Sequence, residues 1–358
     1  MKSQNELQTA RQDNLDLLKA LAIVAMVFCH AVIRLSLNRP GYEGEFPFFL
    51  GHTVLGEYLA VAHAFMFAMG VCVHYTRRNQ PKDLIKRGVW IYLLGYVLNF
   101  FRYGIYALGY GILSGTFRDE TLYAIFSPDI LQFAGLALMA TGLLRKLKLR
   151  ESHIFLIALA LNAIAAPLPF VDTGSYIPNL LLGHFITTTY ETSCFAFCNW
   201  YLFMAAGMLF GAVLRRTENL DRLYRRLLIV SGGVAAVYLA ATVLFGEHFL
   251  CREGYYYAVS IPEAAGLLSI DLFLLSAFHF LLKKVDRSKL GLLLEMSENM
   301  TPIYVIHWCM LGLIDSVCCY LFELVFPYPV IYGIGFALLV ASFFLARLWR
   351  RRKRARGT

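Results

Sequence analysis

Long apolar runs alternate with short polar, mostly basic segments along nearly the whole chain. A helix needs about 20 apolar residues to cross a bilayer. Ten stretches approach that length: 15–35, 57–76, 84–101, 129–144, 152–167, 196–214, 227–246, 258–282, 300–322 and 330–348. The pattern predicts an all-α polytopic membrane protein with about ten transmembrane helices. These runs leave no room for a separate soluble domain. The organisation reads as a cytoplasmic N-terminal segment 1–14, a transmembrane domain 15–348 and a basic cytoplasmic tail 349–358. The first run is long enough to span rather than be removed as a leader.

The basic residues orient the spans. Segments 1–14, 77–87, 145–150, 215–226, 283–289 and 347–358 hold 27 of the 33 Lys and Arg residues. Lys and Arg beside helix ends favour the cytoplasmic side, so both termini are expected there. The outer side and outer helix ends keep Arg34, Arg39, Arg102, Arg118 and Arg252. This distribution also disposes of a nucleic-acid role for the net charge of +9. The tract RRRKRAR at 350–356 reads as a topology anchor against anionic lipid.

Composition agrees. The 358 residues are 58% hydrophobic and only 16% charged, with a mean hydropathy of +0.57. Such a chain is neither disordered nor a small disulfide scaffold. The eight cysteines fall mostly inside apolar runs and read as buried thiols. The alternative is an outer-face disulfide involving Cys194, Cys198 or Cys251. No second Cys/His pair accompanies Cys194 and Cys198 at zinc spacing, so no metal is expected. Two outer segments, 36–56 and 168–195, are longer than turns require and read as functional loops. A third, 102–128, is rich in Gly and Tyr.

Ionisable groups inside a membrane are costly and point to function by default. In 15–35 the strongly polar residues are Asp16, Lys19, His30 and Arg34. At 100° per residue, Asp16, Lys19 and His30 share one stripe, with Lys19 about 16 Å from His30 along the axis. A histidine near neutral pH is a natural general base. His52 and His184 lie in the long outer segments, and His307 falls mid-membrane in TPIYVIHW. Asp129 follows Pro128 and suits a helix start. Asp271 lies deep in its span, with His279 at i+8 as a partner. Neither Walker A nor a dinucleotide fingerprint occurs, so ATP and NAD chemistry have no support.

Four segments together resemble a known group of proteins. NLDLLKALAIVAMVFCH at 14–30 resembles the first helix of the acyltransferase-3 superfamily, whose Arg-x10-His spacing is met by Lys19 and His30. HAFMFAMGVCVHYTRRNQPKDLIKRGVWIYLLGYVLN at 63–99 resembles the heparan-alpha-glucosaminide N-acetyltransferase-like branch, through Phe65, Phe67, Gly70, Leu84, Arg87 and Gly88. DILQFAGLAL at 129–138 is similar to that branch, and SENMTPIYVIHW at 297–308 to the late helix of both.

The resemblance implies transfer of an acetyl or other acyl group from cytosolic acyl-CoA to a sugar hydroxyl or amine on an extracytoplasmic glycan. His30 and His52 are the implied catalytic candidates, with His30 ranked first on spacing. Asp16, Lys19, Arg78, Arg87, Asp129 and His307 are the candidates for binding substrate or coenzyme A, with Arg77 and Lys86 beside them. Acetyl-CoA is the expected donor, and the lipid bilayer and a polar acceptor the expected partners. A homodimer is left open. The expected location is a bacterial-type plasma (inner) membrane. A proton-coupled transporter or flippase of a polar or glycan substrate is the alternative, and a non-catalytic scaffold a third reading.

Overall fold

The computed structural model describes residues 12–59, 62–76, 78–105, 108–109, 112, 115, 124–189 and 192–355. Arg77 and Arg118 lie outside the described residues, as does much of 102–128. The described chain is built of helices and contains no strand.

The principal helices are α1 (Asp13–Leu35), α2 (Phe46–Phe49), α3 (Ala62–Cys72), α4 (Pro81–Asn99), α5 (Ile130–Lys146), α6 (Glu151–Ala165) and α7 (Tyr176–Gly183). They continue as α8 (Phe197–Arg216), α9 (Leu220–Phe245), α10 (Ile261–Leu281), α11 (Gly291–Glu298), α12 (Met300–Ile314) and α13 (Tyr328–Ala355). Three π-helical stretches extend α2, α4 and α12: Leu50–Tyr58, Phe100–Gly104 and Asp315–Leu321. Counting continuous helix, nine segments are long and apolar enough to cross a membrane among the described residues. The remaining span expected from sequence is α6. At 15 residues it covers only about 22 Å, short of a typical 30 Å core.

The segment 36–56 departs from its expectation as a loop. FPFFLGHTVLGEYL is apolar enough to stay helical, so the chain is α- or π-helical from Phe46 to Tyr58. None of the eight cysteines is in a disulfide.

The chain divides into two compact units. The first takes His63–Val97 and Phe126–His279, hence α3, most of α4, and α5 to α10. Small residues set its helix contacts, as where a GxxxG-like seam lets backbones approach. A Cβ on Gly88 would fall 2.6 Å from the Gly135 carbonyl oxygen, and one on Gly70 would strike the Met204 carbonyl. α9 shows the opposite character: Ile229, Val237 and Val243 are exposed along it. Apolar side chains turned outward on a helix this long mark a lipid-facing surface.

The second unit takes Asp13–Ala62, Leu98–Ile125 and Phe280–Thr358. α1 is its core, packed by α11, α12, α13 and the π-helical 50–58. Leu18, Ile23, Val27 and Val32 are fully buried along it. All three π-helical stretches of the described chain belong to this unit.

Candidate active site

The polar stripe of α1 meets two successive helices. At its inner end Lys19 Nζ lies 2.6 Å from Asp16 Oδ1, and Ser297 Oγ at the end of α11 donates to the same carboxylate at 2.5 Å. Asp16 and Lys19 thus neutralise each other as an i,i+3 pair. At the outer end His30 faces α12, with its Nδ1 2.9 Å from His307 Nε2. The two rings are parallel to within 5°.

The hydrogen bonds fix the tautomers. His307 Nδ1 lies 3.0 Å from the Ile303 carbonyl oxygen, one turn earlier on α12, and must donate to it. With both rings neutral, His307 Nε2 then has no proton and accepts. His30 Nδ1–H is the donor, and the lone pair of His30 rests on Nε2. That nitrogen has no hydrogen-bond partner among the described residues. His307 is fully buried, whereas His30 keeps part of its surface accessible. A buried carbonyl and two rings therefore fix which His30 nitrogen keeps its lone pair, an arrangement like that by which an orienting group sets a catalytic imidazole.

Around this pair lie the polar products of the π-helical turns. Arg34, one turn after His30, donates from Nε to Asp315 Oδ2 at 2.8 Å, and its Nη2 bonds the same oxygen. Arg102 places its guanidinium 3.7 Å from the Trp308 ring centroid and 4.9 Å from that of Tyr103. The His30 ring centroid is 4.2 Å from the other partner of that stack, Trp308. Trp308 Nε1 is buried and has no hydrogen-bond partner. A dry indole N–H left unbonded is expensive, and it suits an oxyanion that forms only in a transition state.

His52 sits elsewhere in this unit. Glycines bring its π-helical stretch onto α1: a Cβ on Gly51 would come 2.6 Å from Val32 Cγ2, and one on Gly56 would strike Cys29 Sγ. His52 stacks on Phe48 with centroids 5.1 Å apart and has Glu57 Oε1 at 3.6 Å. It shares no hydrogen bond or ring contact with His30. Glu45, seven residues before it, pairs with Arg39 instead.

The other expected residues belong to the first unit. Arg78 and Arg87 are exposed, while Leu84 and Gly88 of the same motif are buried. Asp129 caps α5, its Oδ1 accepting from the Ile130 N–H at 2.6 Å. His184 donates from Nδ1 to the Leu180 carbonyl, and its Nε2 lies 3.0 Å from the Tyr96 hydroxyl. Burial holds this imidazole below its usual range. Asp271 is bonded not by His279 but by His63, whose Nδ1 is 2.9 Å from Oδ2. Two turns along one helix are about 12 Å, too far for contact, and His279 instead pairs with Asp221.

The family model for the catalytic region of heparan-alpha-glucosaminide N-acetyltransferase matches residues 11–250. The chain belongs to this family. The match covers two thirds of the chain, includes His30 and His52 and stops before His307. No curated protein matches the chain individually. Fold and family together make it an integral membrane protein of an acetyltransferase family.

Proposed function

We propose that this family member moves an acetyl group from acetyl-CoA to the amine of a glucosamine-like sugar, with His30 Nε2 as the general base. A sugar hydroxyl is the alternative acceptor. The observation that carries the reading is the chain Ile303 carbonyl–His307–His30, which leaves one imidazole lone pair unpaired on an accessible ring. As the acceptor nitrogen attacks the thioester carbonyl, His30 Nε2 takes its proton. The carbonyl oxygen gains charge, for which Trp308 Nε1–H and the Arg102 guanidinium are the proposed stabilisers. When the C–S bond breaks, the proton passes to the coenzyme A sulfur, and amide and thiol leave. An acetyl-histidine at the same nitrogen is the two-step version of this chemistry.

The donor is a polyanion, and exposed Arg78 and Arg87 are the proposed phosphate contacts. The pairing of Lys19 with Asp16 makes it a weaker one, since its charge is already matched. The acceptor is proposed to lie on the extracytoplasmic side of a bacterial-type inner membrane, from the distribution of basic segments.

The test is transfer of label from acetyl-CoA to glucosamine by the full chain in proteoliposomes. Labelled N-acetylglucosamine, lost on His30→Ala, is the expected result. Proton-driven sugar uptake with no acetylated product would replace this reading with a transporter.

A further inference from the structure

The loop after α9 holds chemistry that acetyl transfer does not use. α9 ends at Phe245, and Gly246 turns the chain at φ 98°. His248 and Cys251 then share one tight turn, in which the Cys251 N–H donates to the His248 carbonyl at 2.7 Å. Glu263, in the first turn of α10, stands beside them. An imidazole nitrogen of His248, Cys251 Sγ and a Glu263 carboxylate oxygen all lie within 4.8 Å of one another. The three residues are 2%, 7% and 0% exposed.

The hydrogen bonding of Glu263 is lopsided. His248 Nδ1 donates to Oε1 at 2.7 Å, and the Tyr238 hydroxyl donates to the same oxygen at 2.5 Å. Oε2 is buried with no hydrogen-bond partner. A bare carboxylate oxygen in a dry site is costly, and a cation is what it lacks. Cys251 also lines a cavity of about 490 Å³ together with Asn162, Arg252, Ser260 and Pro262. The cavity offers a path to one side of the cluster.

We propose that His248, Cys251 and Glu263 form a metal site whose donor set selects Zn²⁺. Imidazole, thiolate and carboxylate are all zinc ligands, and a thiolate disfavours Mg²⁺ and Ca²⁺. Charge also balances, since thiolate and carboxylate cancel the two positive charges and the imidazole is neutral. A buried site of zero net charge avoids the desolvation cost that an ion pair with excess charge would carry.

Tetrahedral zinc with bonds of about 2.0–2.3 Å puts ligand atoms roughly 3.3–3.8 Å apart. The cluster reaches this when the His248–Glu263 hydrogen bond of 2.7 Å opens by about 1 Å and the widest pair, within 4.8 Å, closes by a similar amount. Loading releases the Cys251 thiol proton and shifts the His248 ring proton from Nδ1 to Nε2, so that the ligating imidazole stays neutral. Three protein ligands leave a fourth position for water or a small anion. Tyr238 orients the carboxylate, and Tyr256 lies against the His248 ring at 5.0 Å. The ion would clasp the loop after α9 to the start of α10.

The full chain in detergent, stripped with a chelator and titrated with Co²⁺, gives the test. One equivalent of Co²⁺ per chain is expected, with a thiolate-to-cobalt charge-transfer band and the strong d–d bands of a four-coordinate ion. Cys251→Ser should abolish the charge-transfer band, and Tyr238→Phe should weaken affinity about tenfold or more. Zn²⁺ should displace Co²⁺ and shield Cys251 from alkylation, as mapped by mass spectrometry. No charge-transfer band in the wild-type chain overturns the site, as does a band that survives in Cys251→Ser. Should Cys251→Ser fail to fold, the wild-type alkylation pattern decides: shielding by Zn²⁺ supports the site, and equal alkylation overturns it.

Discussion

His30 and His52 are both catalytic candidates from the sequence, His30 in the first apolar run and ranked first on spacing, His52 in the segment 36–56 that reads as a loop. Their surroundings separate them. His30 lies in a regular α-helix, bonded at 2.9 Å to His307, which is itself held by the Ile303 carbonyl. His52 lies in a π-helical turn, is half-exposed, and faces a carboxylate at 3.6 Å. A base needs a defined tautomer and a fixed ring as well as an accessible lone pair. His30 has all three, whereas the structure gives His52 no second group to set its tautomer. The pair His63–Asp271 makes the same point from the other side. There one ring is bonded to a carboxylate and both residues are fully buried, which suits an internal tie rather than a reacting base.

Substitutions separate the two histidines. His30→Ala should lower kcat/KM for acetyl transfer by about 10³-fold, the usual scale for losing a general base. A loss confined to His52→Ala would reverse the assignment. Trp308→Phe keeps the ring against His30 and deletes the unbonded Nε1. It should lower kcat by about 10²-fold with little change in KM, as expected for a donor used only in the transition state. An unchanged kcat would remove Trp308 from the reaction.

In the proposed chemistry His307 positions His30 rather than reacting itself. His307→Leu deprives His30 Nδ1 of its acceptor and should cost about 10- to 100-fold in kcat. His307→Gln, whose side-chain oxygen can accept that bond, should recover much of the loss. Equal defects in both variants would mean that only packing was disturbed. His52→Ala is expected to do least, less than about threefold in kcat/KM.

Much of the geometry of the candidate site was legible in the sequence, and particular residues show how. The 100° rule placed Asp16, Lys19 and His30 on one face of α1, and that face indeed meets the two helices carrying Ser297 and His307. The depth of His307 in its span pointed to a partner, because a bare imidazole in an apolar core is costly. The identity of that partner was out of reach, since contacts across 277 residues leave no local pattern. The helix cap at Asp129 was readable from Pro128 and the run that follows.

From the sequence Arg102 reads only as an outer-side charge, and neither it nor Asp315 is assigned to the site. Both sit in π-helical stretches, where the turn is wider than 3.6 residues and helical-wheel arithmetic fails. Segment 36–56 reads as a loop for a different reason. Apolar character was visible there, but Gly41, Pro40 and Pro47 masked the helix that begins at Phe46. The cluster of His248, Cys251 and Glu263 escaped because its third member lies twelve residues beyond the second, outside any short motif.

The most direct test of the account is the imidazole ¹⁵N spectrum of the full chain in lipid, with His30 and His307 assigned from the His30→Gln and His307→Gln variants. Both rings should carry their proton on Nδ1, with His30 Nε2 showing the shift of an unprotonated nitrogen. A proton on His30 Nε2 would mean that no lone pair faces the acceptor, and would contradict His30 as the base.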